Sequence, residues 1–432
     1  MKAEPLIKQN KSIDIKKRET LRKIATLGLS TCLSVNAPYV FSRTKTKLRI
    51  LGTHVTLQEE LRKQAMEDLG IELEFEARGS ASVLQKASMN PQSFDLYEQW
   101  SNSIKVLWRS GSIQPIEKKR LTYWSEINSL TKTGKLSPQA KYGAGDAPYK
   151  ILHVQGNGQL GTQHTEQISF LPYVHNVDSF GYNTNAIAKG IPYKTESWGW
   201  LLDEKYSGKV GIVNAPTIGL FDLALAARAK GLAQFKNIGE ITKVELDKLF
   251  SVLIEMKKNG HFSGFWTSVP ESVDFMSSER VVIESMFSPA VSALNGKNIP
   301  VVYAAPKEGY RGWHGVMCLS SATRGKQKDA AYDYMNWWLS GWPGAFIAKQ
   351  GYYISNPERS AKYLSNAEWD YWYQGKAASE ALRGTDGKLS VKKGEIRTGG
   401  SYEKRFSNVA VWNTVMKSYD YSLQKWYEFI SA

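Results

Sequence analysis

Lys47-Leu-Arg-Ile-Leu-Gly-Thr53 decides the reading of the fold. Leu48 to Leu51 is a short apolar strand, and the glycine breaks it. Outward from it, strand and helix alternate. Leu57, Leu61, Ala65 and Leu69 fall near one face of a helix, and Gly70 ends it. Ile71-Glu-Leu-Glu-Phe75 alternates in period two and reads as a second strand. Ser82 to Ala87 reads as a helix, Phe94-Asp-Leu-Tyr97 as a third strand, and Ile104 to Trp108 as a short helix. Strands separated by helices favour an α/β fold with a largely parallel, doubly wound sheet.

Farther along, residues 131–166 are rich in Gly, Lys, Thr and Gln and read as an irregular surface excursion. Ile168 to Tyr182 reads as the first crossover between lobes. Gly208 to Val213, Val281 to Phe287 and Val301 to Ala304 read as strands, with helices over Leu220 to Lys230 and Leu246 to Lys258. Pro306 to Gly309 turns the chain into Trp313 to Leu319, a second crossing, and Asp329 to Leu339 reads as a helix. A basic loop from Arg383 to Gly400 precedes an amphipathic helix expected near Val409 to Ile430.

The chain has 432 residues, enough for two domains, with 42% apolar and 22% charged residues, an ordinary soluble balance. The formal charge is +15, of which +6 belongs to the first 43 residues (nine Lys or Arg, three Asp or Glu). The remainder has no long Lys/Arg run and no nucleic-acid motif, so no nucleic-acid partner is expected. The first 43 residues read as an export signal. A basic stretch precedes a mildly apolar run, Ile24 to Val35, and small residues at Val35-Asn-Ala37. Lys17-Arg18-Glu-Thr-Leu21-Arg22 resembles a twin-arginine signal with Lys for the first Arg; general secretion is the other route. Leu29-Ser-Thr-Cys32 resembles a lipoprotein site with Thr before the cysteine. Once the leader is cut, Cys318 is the single cysteine and no internal disulfide can form.

Four segments in order carry a family resemblance: Phe94-Asp-Leu-Tyr97; Phe170-Leu-Pro-Tyr173 with Gly181-Tyr-Asn-Thr184; Ser197-Trp-Gly-Trp-Leu-Leu-Asp-Glu-Lys-Tyr-Ser-Gly-Lys-Val210; and Ala305-Pro-Lys-Glu-Gly309 before Trp313. Over roughly residues 46–360 the chain resembles the extracellular solute-binding proteins of ABC transporters, in their polyamine (spermidine/putrescine) branch. The resemblance implies the type II periplasmic-binding-protein fold, two α/β lobes with a two-segment hinge. It divides the chain into the export signal (1–43), the first part of lobe 1 (46–172), lobe 2 (173–305), a return to lobe 1 with hinge-side helices (306–360) and a C-terminal extension packing on the lobes (361–432). It implies a periplasmic monomer that captures a small-molecule ligand and delivers it to an ABC transporter permease.

The details depart from a polyamine site. In the polyamine binders a Trp on the second crossing precedes an Asp by two positions; here Trp313 is followed by Gly315. Asn214-Ala-Pro-Thr-Ile-Gly219 follows its strand without an acidic residue, and Arg78 follows the second strand. Glu76, Glu98 and Glu284 remain as sources of charge. These departures favour another cationic or zwitterionic nitrogen compound. Trp313 and His314 begin the second crossing and are expected at the cleft, Trp313 by its cation-binding face. Tyr173, His175 and Asn176 lie on the first. Ligands in open α/β sheets bind beyond the carboxyl ends of strands, which adds Glu98, Gln99, Trp100, Arg78 and Ser80. Arg78 could clamp an anionic end bidentately. Trp266, Phe287 and Ser288 are the second-lobe candidates, while Trp337, Trp338 and Trp342 read as packing. His153, His164, His175, His261 and His314 lack metal-ligand spacing, so no metal or cofactor is expected. No catalytic motif stands out, and an exported enzyme on this scaffold or the ligand-binding part of a sensor are the alternatives.

Overall fold

The computed structural model describes residues 45–432; the expected export signal, with Cys32, lies outside them. The main sheet has two parallel, three-stranded wings. One holds Leu96–Trp100, Lys47–Gly52 and Glu72–Ala77, the other Ile283–Met286, Val210–Val213 and Phe262–Trp266. Between them run two long antiparallel strands, Leu171–Asn183 and Tyr310–Ser320. Each wing meets this pair antiparallel. The doubly wound expectation therefore holds within each wing, and the crossing pair makes the whole sheet mixed. At about 3.3 Å per residue a strand of this length can cross from one wing to the other. Leu171 to Tyr182 are all buried, as a central strand covered on both faces must be.

Each wing has its own apolar core. One cluster joins Leu48, Ile50, Leu61 and Leu96 to Val316, Met335 and Ile354. The other joins Phe180, Ile212, Leu225, Leu249 and Ile283 to Trp426 and Phe429. The sequence writes these helices locally. Glu59–Leu69 ends on Gly70 at φ 65°, a left-handed position that glycine takes without strain. Lys243–Lys258 starts with a reciprocal cap between Thr242 and Glu245 and buries Leu246, Leu249, Phe250 and Leu253, one stripe of the helix. Truncating one of these leucines to Ala costs about 2–5 kcal/mol.

The C-terminal part departs from its sequence reading. Val409–Trp412 is a strand, parallel to Tyr310–Gly312 of the crossing pair, and the helix begins only at Tyr419. The alternation Val-Ala-Val-Trp suits a strand edge better than a helix face. Trp426 and Phe429 of the helix Tyr419–Ser431 then pack on Phe250. The loop from Arg383 starts in a hairpin, Leu382–Arg383 with Leu389–Val391. Within residues 131–166, two short strands join a small antiparallel sheet with Ile116–Glu117 and Gln167–Ile168. Phe262–Trp266 is a wing strand without a clear period, hidden by its glycine.

Candidate ligand-binding site

The period of two along a strand decides which crossing residues can share a site. Trp313 pairs with Asn176 and Arg311 with Asp178, so these four lie on one face. His314 pairs with His175 on the opposite face. Trp313 and His314 therefore face opposite ways, and of the two only Trp313 lines the slot described next.

Trp313 packs against Trp100, ring centroids 4.6 Å apart, and edge-on against Tyr352 at 5.7 Å. With Phe287, Ser288, Asp178 and Asn413 these rings line a narrow slot of about 50 Å³. Trp100 closes its strand, and Phe287 and Ser288 follow theirs directly, as the carboxyl-end rule expects. Trp266 stands behind, fully buried, edge-on to Phe287 at 5.0 Å, with its Nε1 donating to Ser285 O.

Asp178 supplies the charge, and the sequence reading passed over it. It is the single acidic residue of Leu171–Asn183, a signal that was available. Arg311 Nη1 lies 3.3 Å from Asp178 Oδ2, and its Nε donates to Asp222 Oδ1 at 2.7 Å. Nη1 also donates to Asn413 Oδ1, and Tyr303 Oη donates to Asp178 Oδ1 at 3.3 Å. All three charged side chains are buried. One guanidinium faces two carboxylates, so the cluster carries a formal −1. Burial pushes both carboxyls up against the opposing pull of Arg311, Asp222 to about 6. Asp222 Oδ2 has no partner. Aromatic faces beside an under-compensated carboxylate make a site for a cation.

The remaining expected residues lie elsewhere. Glu98 is sealed inside the first core, accepting from Tyr173 Oη at 3.0 Å, and burial pushes its carboxyl up to about 7. Tyr173 packs edge-on against Trp338 at 4.9 Å. His175 stacks on His314 at 4.7 Å, and its Nε2 bonds Tyr402 Oη at 2.7 Å. Both imidazoles are buried, which pushes His314 down to about 4. Asn176 faces the Gly351 carbonyl at 3.4 Å. Gln99 donates to Ser80 O at 2.6 Å, which ties the end of the strand Leu96–Trp100 to the start of the helix Ser80–Met89. Arg78 pairs with Glu76 at 2.5 Å, and Glu76 also holds Lys86. Glu284 is buried in the second wing on Ser272 Oγ.

Gly315 has a structural cause. A Cβ there would stand 2.7 Å from the Val174 carbonyl oxygen, so the crossing strands exclude any side chain. The acid missing from position 315 cannot be there; Asp178 stands on the other crossing strand instead.

The model of the bacterial extracellular solute-binding protein family matches residues 60–372. No curated protein matches the sequence significantly. Among solved structures the chain is similar to the spermidine/putrescine ABC transporter substrate-binding protein PotD of Streptococcus pneumoniae (15% identity, 90% of this chain and 99% of that one, TM-score 0.60). It is similar to the TpPotD lipoprotein of Treponema pallidum (12%, 89% and 99%, TM-score 0.63). The PBP AgtB of A. tumefaciens R10, solved with agropinic acid, is a third (11%, 90% and 99%, TM-score 0.53). At these identities the likeness speaks for the fold, and here it agrees with the family match. The chain is a two-lobed member of the bacterial extracellular solute-binding protein family.

Proposed function

We propose that this protein binds the positively charged nitrogen of a small solute between Trp100, Trp313 and Asp178 and presents it to an ABC permease in the periplasm, without chemical turnover. The observation that carries this reading is the slot itself: aromatic walls with a buried carboxylate whose ion-pair cluster retains a negative charge. A cation entering it would complete that cluster and lose its water against ring faces. Closure of two lobes over the solute would bury it from both sides. The solved structure named for spermidine/putrescine transport fits capture of a nitrogen compound.

The test is a thermal-shift screen of the mature protein with primary amines, quaternary amines, amino carboxylates and neutral sugars. A ligand at a hundredfold excess over its Kd stabilises by about 2.7 kcal/mol. Amine-bearing compounds should raise the midpoint and come back unchanged from the complex. A shift confined to sugars would overturn the proposal, and conversion of the bound compound would make the protein an enzyme.

A further inference from the structure

A second cavity, of about 80 Å³, adjoins the aromatic slot at Ser288, which lines both. Its walls come from the helix Ser288–Gly296 and from the C-terminal extension, with Tyr303, Arg397 and Arg405 among them. The two arginines differ from Arg311. Arg405 is 1% exposed and Arg397 8%. Arg405 donates from Nη1 to the Thr398 carbonyl at 2.6 Å, while its Nε and Nη2 have no partner. Arg397 donates to neutral oxygens only: Tyr353 Oη, Trp372 O and Gly351 O. Among the described residues, neither guanidinium has a carboxylate within ion-pair distance. Glu395 also lines the cavity, but its oxygens accept from Tyr371 Oη and Lys392 N.

Two buried guanidiniums without counter-charge are costly unless an anion joins them. Nε and Nη2 form one edge of the planar fork, and that edge fits both oxygens of a carboxylate. Tyr303 ties the cavity to the slot, since it lines the cavity and donates its hydroxyl to Asp178. A negative slot and a positive cavity thus lie side by side. We infer that the C-terminal extension builds an anion subsite on Arg397 and Arg405, and that the solute is a zwitterion, its nitrogen in the slot and its carboxylate on the Arg405 edge. This rests on the cation reading of the slot. It moves the anion-holding role from Arg78, which is paired to Glu76, to residues beyond the family match at 60–372.

The test is calorimetric titration of the mature protein with ω-amino carboxylates of increasing length, matched α,ω-diamines and matched alkylamines, on wild type and Arg405→Gln. The best amino carboxylate should bind at least tenfold tighter than its diamine. Arg405→Gln should weaken it at least thirtyfold and leave the diamine unchanged or tighter. Arg405→Lys, which keeps the charge without the fork, should fall between, and serves if the Gln variant does not fold. A diamine binding as tightly as the amino carboxylate, or an Arg405→Gln variant with undiminished preference, would overturn the inference and leave the cation slot standing. Sulfate stabilisation lost in Arg405→Gln, without preference between the two series, would make the cavity a free-anion site and also overturn it. Failure of every amine-bearing compound to bind wild type would remove the cation reading and this inference together.

Discussion

Replacing Asp178 with Asn separates the charge of the slot from its shape. The amide is nearly isosteric, and Tyr303 Oη can still donate to its oxygen, as it does to Asp178 Oδ1 at 3.3 Å. Arg311 keeps Asp222 at 2.7 Å and Asn413 at 3.1 Å. The cluster therefore changes from a formal −1 to neutral, with no charge left unpaired. A unit cation about 4 Å from a carboxylate interacts by about 4 kcal/mol at an effective dielectric of 20. The hydrogen bonds that the amide retains offset part of this, leaving about 3 kcal/mol, or about two decades in Kd. Titration of an amine ligand found in the screen, at pH 7.5, measures it. Stability should move the other way. Asp178 is one of the causes that raise Asp222, so its loss relieves a buried like-charge contact, and the urea midpoint should hold or rise. An amine Kd within threefold of wild type, in a variant that unfolds at the wild-type midpoint, would refute the electrostatic account of the slot.

Two further expectations concern stability. Glu98→Gln removes a carboxyl whose folded value, about 7, lies above its ordinary 4.5. Such a group favours folding below about 4.5 and loses that contribution as pH rises through about 7, a swing of about 3 kcal/mol. The variant should therefore gain on wild type between pH 5 and pH 8 by about that amount in urea unfolding, and a pH-independent difference would contradict the burial of Glu98. Gly315→Ala forces a Cβ to within 2.7 Å of a backbone carbonyl and should cost about 1–3 kcal/mol in the same assay. An unaltered midpoint would mean that the crossing strands separate freely at that point.

Much of the fold was written locally. Apolar periodicity, Gly70 and the cap at Thr242 mark their elements without reference to the rest of the chain. The order of the segments placed the two crossing strands, strand-end logic singled out Trp100, and Phe287 and Ser288 were second-lobe candidates; all three line the slot. Facing was harder. Trp313 and His314 are adjacent in sequence, but alternation sends one to the slot and the other into a buried stack on His175. Glu98 and Trp100 are two residues apart on one strand, yet Tyr173 closes over the first and leaves the second at the opening.

By itself, then, the sequence determined the alternating elements, because each follows from spacing within a few turns of chain; the two lobes, the crossing segments and a cleft position for Trp313 were expectations drawn from the family resemblance. Only the tertiary structure decided the charges. The cluster at the slot gathers Asp178, Asp222, Arg311 and Asn413 from four distant segments, and the second cavity takes Arg397 from the stretch that reads as a basic loop, 383–400, and Arg405 from the helix Tyr402–Phe406 beyond it. Charge has no periodicity of its own. Its effect depends on burial and on which counter-charges lie within a few ångströms, and the packing of remote segments sets both.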